Sequence, residues 1–96
     1  MIDKPTIARI MDATNIVDVV SEFVSLKKRG VNYIGLCPFH NDSHPSFSVS
    51  PARGICHCFT CGKGGNAINF LMELEQMTYP DALRWLANKY HIEIKE

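Results

Sequence analysis

Two short motifs constrain this chain more than anything else in it: Cys37-x-x-His40 and, after seventeen intervening residues, Cys58-x-x-Cys61. Ligands separated by two residues reach one ion from a single tight turn, and a second such turn closes a tetrahedron. Zinc suits this set, because it accepts both thiolate and imidazole nitrogen and brings no redox chemistry of its own. Four protein ligands leave no open coordination position, so Cys37, His40, Cys58 and Cys61 are expected to hold one structural ion. Pro38 stiffens the first turn, and Gly62 gives the second the backbone freedom such turns need.

Four cysteines and four histidines offer more donors than one ion takes. Strand alternation puts Cys56 on the same face as Cys58 and does not exclude it. The spacing does, because Cys58 and Cys61 repeat the turn made by Cys37 and His40. Cys56 then reads as a small buried hydrophobe. His44 and His57 read as surface or strand residues, and His91 as the end of a helix, near its terminal carbonyls.

Ninety-six residues make one small domain, 1–96, of a size at which a metal staple adds much to a limited core. With 46% hydrophobic and 21% charged residues the chain is expected to fold. No apolar run approaches a membrane span and no signal peptide opens the chain, which points to the cytoplasm and to reduced thiols. The net charge is zero, but its distribution is uneven. Lys27, Lys28, Arg29, Arg53 and Lys63 fall between residues 26 and 66, with Asp42 the one acid among them. After the deficit of one that three thiolates on a dication leave, this block keeps a surplus of three positive charges. Such a basic face is the footprint of a polyanion contact.

Along the chain, Asp3 and Pro5 open a helix over 5–13 with Ile7, Ile10 and Met11 on one face. Asn15 caps a second, carrying Ile16, Val19, Val20 and Phe23. Gly30 then turns a hairpin whose first arm bears Lys27, Lys28 and Arg29 and whose second bears Asn32 and Tyr33. Phe47, Ser48, Val49 and Ser50 alternate as a strand, residues 51–54 turn, and residues 55–58 return to the second metal motif. The stretch 62–65 reads as a flexible exit. Asn66 caps a helix with Ile68, Phe70, Leu71 and Leu74; Thr78 caps another with Ala82, Leu83, Trp85, Leu86 and Tyr90. Ile92 and Ile94 alternate like a short final strand. The fold class is α+β: a zinc ribbon with a small antiparallel sheet flanked by helices. No nucleophile elbow, carboxylate cluster or complete phosphate loop is present, so no catalytic residue is assigned.

These motifs carry a resemblance. Cys37-Pro38-Phe39-His40, the run 45–49, His57-Cys58-Phe59-Thr60-Cys61-Gly62 and the run 65–70 resemble the N-terminal zinc-binding domain of bacterial DNA primases (DnaG type), and the likeness covers nearly the whole chain. It implies a module that contacts single-stranded DNA template at the initiation sequence. A separate polymerase domain, using Mg2+, would make the RNA primer, and the replicative helicase would be an indirect partner. Cys37, His40, Cys58 and Cys61 match the family's metal ligands; Lys27, Pro45, Arg53 and His57 match positions associated with template. Val31 and Ser43 stand where relatives often carry basic residues, Asp42 replaces a glutamate, His44 a threonine, and Cys56 an aromatic residue. The residues alone nominate Lys28, Arg29, Tyr33 and Lys63 for the same surface, with Tyr33 or Phe47 as stacking aromatics, and Asn32 joins them from the 32–36 stretch, which also resembles the family. Phe39, Phe47 and Phe59 each also have a core reading, which is the preferred one. The expected composite surface sets the 27–33 hairpin beside the 53–57 strand. The alternative function is a zinc-scaffolded interaction module that docks on the polymerase domain or helicase, and a further one is a stand-alone phage or plasmid protein.

Overall fold

Each helix begins at the residue whose side chain caps it. In the computed structural model, which describes residues 2–39 and 44–94, Asp3 Oδ1 accepts from the Thr6 N–H at 3.0 Å and starts α1, Lys4–Ala13. The backbone turns extended at Thr14, and Asn15 Oδ1 accepts from the N–H groups of Val17 and Asp18 to start α2, Ile16–Ser21. Asn66 does the same for α3, Ala67–Glu75, and Thr78 for α4, Tyr79–Lys89. A local side-chain cap therefore marks each of the four helix starts.

Five strands form one antiparallel sheet in sequence order: β1 Lys27–Arg29, β2 Asn32–Gly35, β3 Phe47–Ser50, β4 Ile55–Cys58 and β5 Gly64–Gly65. Gly30 at φ 64° and Gly54 at φ 67° make the two tight turns that the sequence predicts. Two expectations fail. The 62–65 stretch is no loose exit: Gly64 and Gly65 pair with His57 and Cys56 as an edge strand. Glycine is required there, since a Cβ on Gly64 would lie 2.2 Å from the Cys56 carbonyl oxygen. Residues 92–94 are not a strand either. His91 takes a left-handed φ of 57°, its N–H donates to Asn88 O, and the Ile92 N–H donates to Ala87 O at 2.8 Å. That pair of bonds ends the helix as a Schellman turn and folds Ile92 and Ile94 back onto the core. The His91 bond is made by its backbone, two residues past Lys89, the last residue of α4.

The helices cover one face of the sheet. Phe47, Val49, Cys56 and Cys58 point into the core with Ile10, Val19, Val20, Phe70, Leu71, Leu83 and Leu86. An aromatic column crosses the interior: Trp85 meets Phe23 at 5.8 Å between ring centroids, Phe23 meets Phe70 at 5.8 Å, and Phe70 meets both Phe47 and Phe39. The column joins α4 to the first metal motif. The Tyr90 hydroxyl accepts from the Asn15 N–H at 3.0 Å, tying the end of α4 to the start of α2.

Candidate functional site

Three thiols converge where β2 and β4 end. Cys37, Cys58 and Cys61 place their sulfur atoms within 4.8 Å of one another, with 3.7 Å between those of Cys37 and Cys61. A tetrahedron with metal–sulfur bonds of about 2.3 Å has edges of about 3.8 Å, so the spacing fits a zinc ion. His40 lies outside the described residues, as do Asp42 and Ser43. The second turn is held by backbone: the Gly62 N–H donates to Cys58 O, the Cys58 N–H to Lys63 O, and the Cys61 N–H to Cys58 Sγ at 3.4 Å. Gly62 has φ 77°, the freedom that the motif calls for.

Ser46, unnoticed in the sequence, places its hydroxyl 3.5 Å from Cys58 Sγ. Burial above all pushes the Cys37 thiol up, to about 12; the Phe39 backbone opposes this, and the facing thiols of Cys58 and Cys61 add to it. Without an ion Cys37 therefore stays protonated at neutral pH, and a metal must displace its proton to bind. Cys56 stands apart from the trio. It is buried, donates its S–H to Gly65 O at 3.4 Å, and burial raises its pKa to about 11.

The other side of the sheet is open. Paired residues of antiparallel strands share a face. Register therefore aligns Lys27 with Ile34, Ser48 and His57 across the outer face, and Arg29 with Asn32. A groove of about 510 Å³ runs there, lined by Asn32, Ser48, Ser50, Arg53, His57 and Phe59 among others. A second, of about 360 Å³, adjoins it toward Arg29 and shares Asn32, Ser48 and Phe59. None of the residues lining either groove is acidic.

The nominated contact residues divide on this geometry. Lys27, Arg29, Asn32, Arg53 and His57 lie on or around the outer face. Tyr33 is aligned with Val49 and Cys56 and packs partly against the core, yet it also lines the second groove; Lys28 pairs with Tyr33 in the register. Lys63 is 3.8 Å from Glu73 and 5.7 Å from the Phe39 ring centroid, and Pro45 is exposed just before β3. The expected juxtaposition of hairpin and returning strand is also corrected, because β3 lies between them. Phe47 is core, but Phe59 is not: it is 73% exposed, and its ring meets that of His57 at 5.3 Å, edge to face. Alternation carried one residue past β4 was the signal available. If Cys56 and Cys58 point in, His57 and Phe59 point out.

A thiol cluster on the ends of sheet strands, within an antiparallel sheet backed by helices, defines the class: a zinc ribbon. Residues 2–96 match the CHC2 zinc finger of the DnaG zinc ribbon, and the chain belongs to that family. It is 50% identical over 90 residues to a DNA primase of Synechococcus elongatus and 47% identical over 93 residues to one of Staphylococcus aureus. These matches cover 94% and 97% of this chain but only 13% and 16% of those proteins. The fold is that seen in the crystal structure of the Aquifex aeolicus primase zinc-binding and RNA polymerase domains. The TM-score is 0.85 at 44% identity, over 95% of this chain and 22% of the other.

Proposed function

We propose that this chain is the zinc-ribbon module of a DNA primase and that it binds single-stranded DNA template across the outer face of its sheet, helping to recognise the initiation sequence. The observation that carries the reading is the pair of adjoining grooves on that face. They are lined by Arg53 and Arg29, with Lys27 in register with Ile34 beside them, have no acidic lining residue, and belong to a chain of the primase zinc-finger family. Cations along a groove follow the phosphate backbone while groups on the sheet meet the bases. The ion is assigned a structural role, held by Cys37, His40, Cys58 and Cys61. It fixes the turn that ends β4 and performs no chemistry. Primer synthesis, with its Mg2+, is assigned to a polymerase domain outside these residues, acting in cis or in trans, with the helicase an indirect partner. A cytoplasmic location accords with reduced thiols; among the described residues no helix is long and apolar enough to cross a membrane.

Titration of the zinc-loaded chain with short single-stranded DNA, followed by backbone amide shifts, tests this. Shifts are expected at Asn32, Ser48, Arg53 and His57, with affinity falling as salt rises. An unmoved outer face would overturn the reading.

One observation favours the second reading, a module that docks on another protein. Ile2, Ile7, Tyr79, Pro80 and Leu83 line a largely apolar groove of about 450 Å³ between α1 and α4, rimmed by Lys4 and Arg84, and it shares no residue with the sheet grooves. Amide shifts confined to α1 and α4 on adding a polymerase domain or helicase would support it.

A further inference from the structure

We infer that Phe59, braced edge-on by His57, is the platform on which one unpaired template base stacks, with the groove beside it receiving that base. The inference rests on the DNA-binding reading above and names the residue that would read a base there.

A single exposed aromatic residue is commonplace and by itself means little. Phe59 differs in where it stands and how it is held. It lines both sheet grooves, so a strand following either one passes its ring. Its backbone is fixed on both sides. Its N–H donates to Ser46 O at 2.9 Å, and the turn that follows is closed by the bond from the Gly62 N–H to Cys58 O at 2.9 Å. Two of the clustered thiols, Cys58 and Cys61, flank it in sequence. The ring is thus carried on a turn held by backbone hydrogen bonds yet contributes little to the core. An edge-to-face contact with His57 at 73° braces the ring while it remains 73% exposed. A base stacked on it would face the Asn32 amide, the Ser48 and Ser50 hydroxyls and the Arg53 guanidinium, which line the same groove. Donors and acceptors both stand within that wall, as a base edge requires, and Arg53 is positively charged, as a phosphate requires.

The experiment measures binding of the zinc-loaded chain to a short fluorescently labelled single strand, and to a set of the same strand with one abasic position at a time, at two salt concentrations. Phe59→Ala is expected to weaken binding to the intact strand about five- to 150-fold, the range of one base–aromatic stack, without changing the salt dependence. Phe59→Trp is expected to preserve binding. One abasic position is expected to weaken wild-type binding similarly and to make the strand indifferent to Phe59→Ala. Amide spectra of the zinc-loaded variants establish that they fold, and Phe59→Leu serves in place of alanine if that variant does not. If wild type binds and Phe59→Ala binds equally well, the platform is wrong while the DNA-binding reading stands. If the loss persists with every abasic strand, Phe59 acts by another route and the inference is overturned. If wild type binds no strand, the DNA-binding reading fails and the platform falls with it.

Discussion

The two faces of the sheet are made by the same strands, yet neighbours one residue apart have opposite surroundings. Val49 is fully buried beside Ser48, and Cys58 beside Phe59 at 73% exposure. Inside, packing explains Phe47, Val49 and Cys56, which fill space against α2 and α3 and are chosen by volume and polarity, while Cys58 packs beside them and also turns its sulfur to the thiol cluster. Outside, folding asks only for strand-compatible residues. An asparagine, two serines, an arginine, a histidine and a phenylalanine gathered on one face are not explained by stability. The comparison teaches that, the clustered thiols apart, the informative residues of these strands are those that the core does not need.

The sharpest way to break the comparison is to remove the metal, because the turn it is proposed to hold carries residues of both faces. Structural zinc in zinc-finger peptides contributes an apparent ~10–16 kcal/mol at neutral pH, so chelation is expected to abolish the dispersed amide spectrum of both faces together. An unchanged spectrum would mean that packing alone fixes the turn. The same binding should strengthen with pH. The ligand thiols must lose protons to bind, and burial holds the Cys37 thiol up, so competition against a chelator is expected to show weaker zinc binding at pH 6 than at pH 8.

Next in size is the aromatic column. Phe70→Ala removes the ring that touches Phe23, Phe39 and Phe47 and is expected to cost about 3–5 kcal/mol in denaturant unfolding. Phe59→Ala, the same substitution on the outer face, should stay within about 0.5 kcal/mol of wild type. A loss above ~1 kcal/mol there would make Phe59 a structural residue and dissolve the contrast. Between these lies Asn66→Ala, which removes the α3 cap and is expected to cost about 1 kcal/mol with no change in DNA affinity.

What the sequence made legible follows the range of the forces involved. The four caps act over three residues, and Asp3, Asn15, Asn66 and Thr78 were readable directly. So were the two tight turns at Gly30 and Gly54 and the alternation of β3. β5 was not readable, because two glycines carry no side-chain pattern and their strand exists through backbone contact with Cys56 and His57. Ile92 and Ile94 misled because a two-residue alternation is short and the left-handed residue that ends α4 is a histidine rather than the usual glycine. For the site, motif spacing brought together the three thiols, and a cation count found a basic region without its geometry. It grouped Lys28 and Lys63 with Arg53, while the structure pairs Lys28 with Tyr33 and sets Lys63 near Glu73 and Phe39. Phe59 was misread because an apolar identity suggests a core residue unless alternation is carried past the strand's last assigned position.

β1 has a consequence of another kind. It is the outermost strand of the sheet, pairing with β2 on one side, and its three residues are Lys27, Lys28 and Arg29, all exposed. An edge strand offers unpaired backbone groups to any other extended chain, and a row of like charges repels a second copy. These cations therefore disfavour edge-to-edge pairing through β1 whether or not they touch DNA. Neutralising all three would leave a short uncharged edge, and sedimentation is expected to show aggregates that the wild-type chain does not form. In cells, losing these charges would be read first as insolubility.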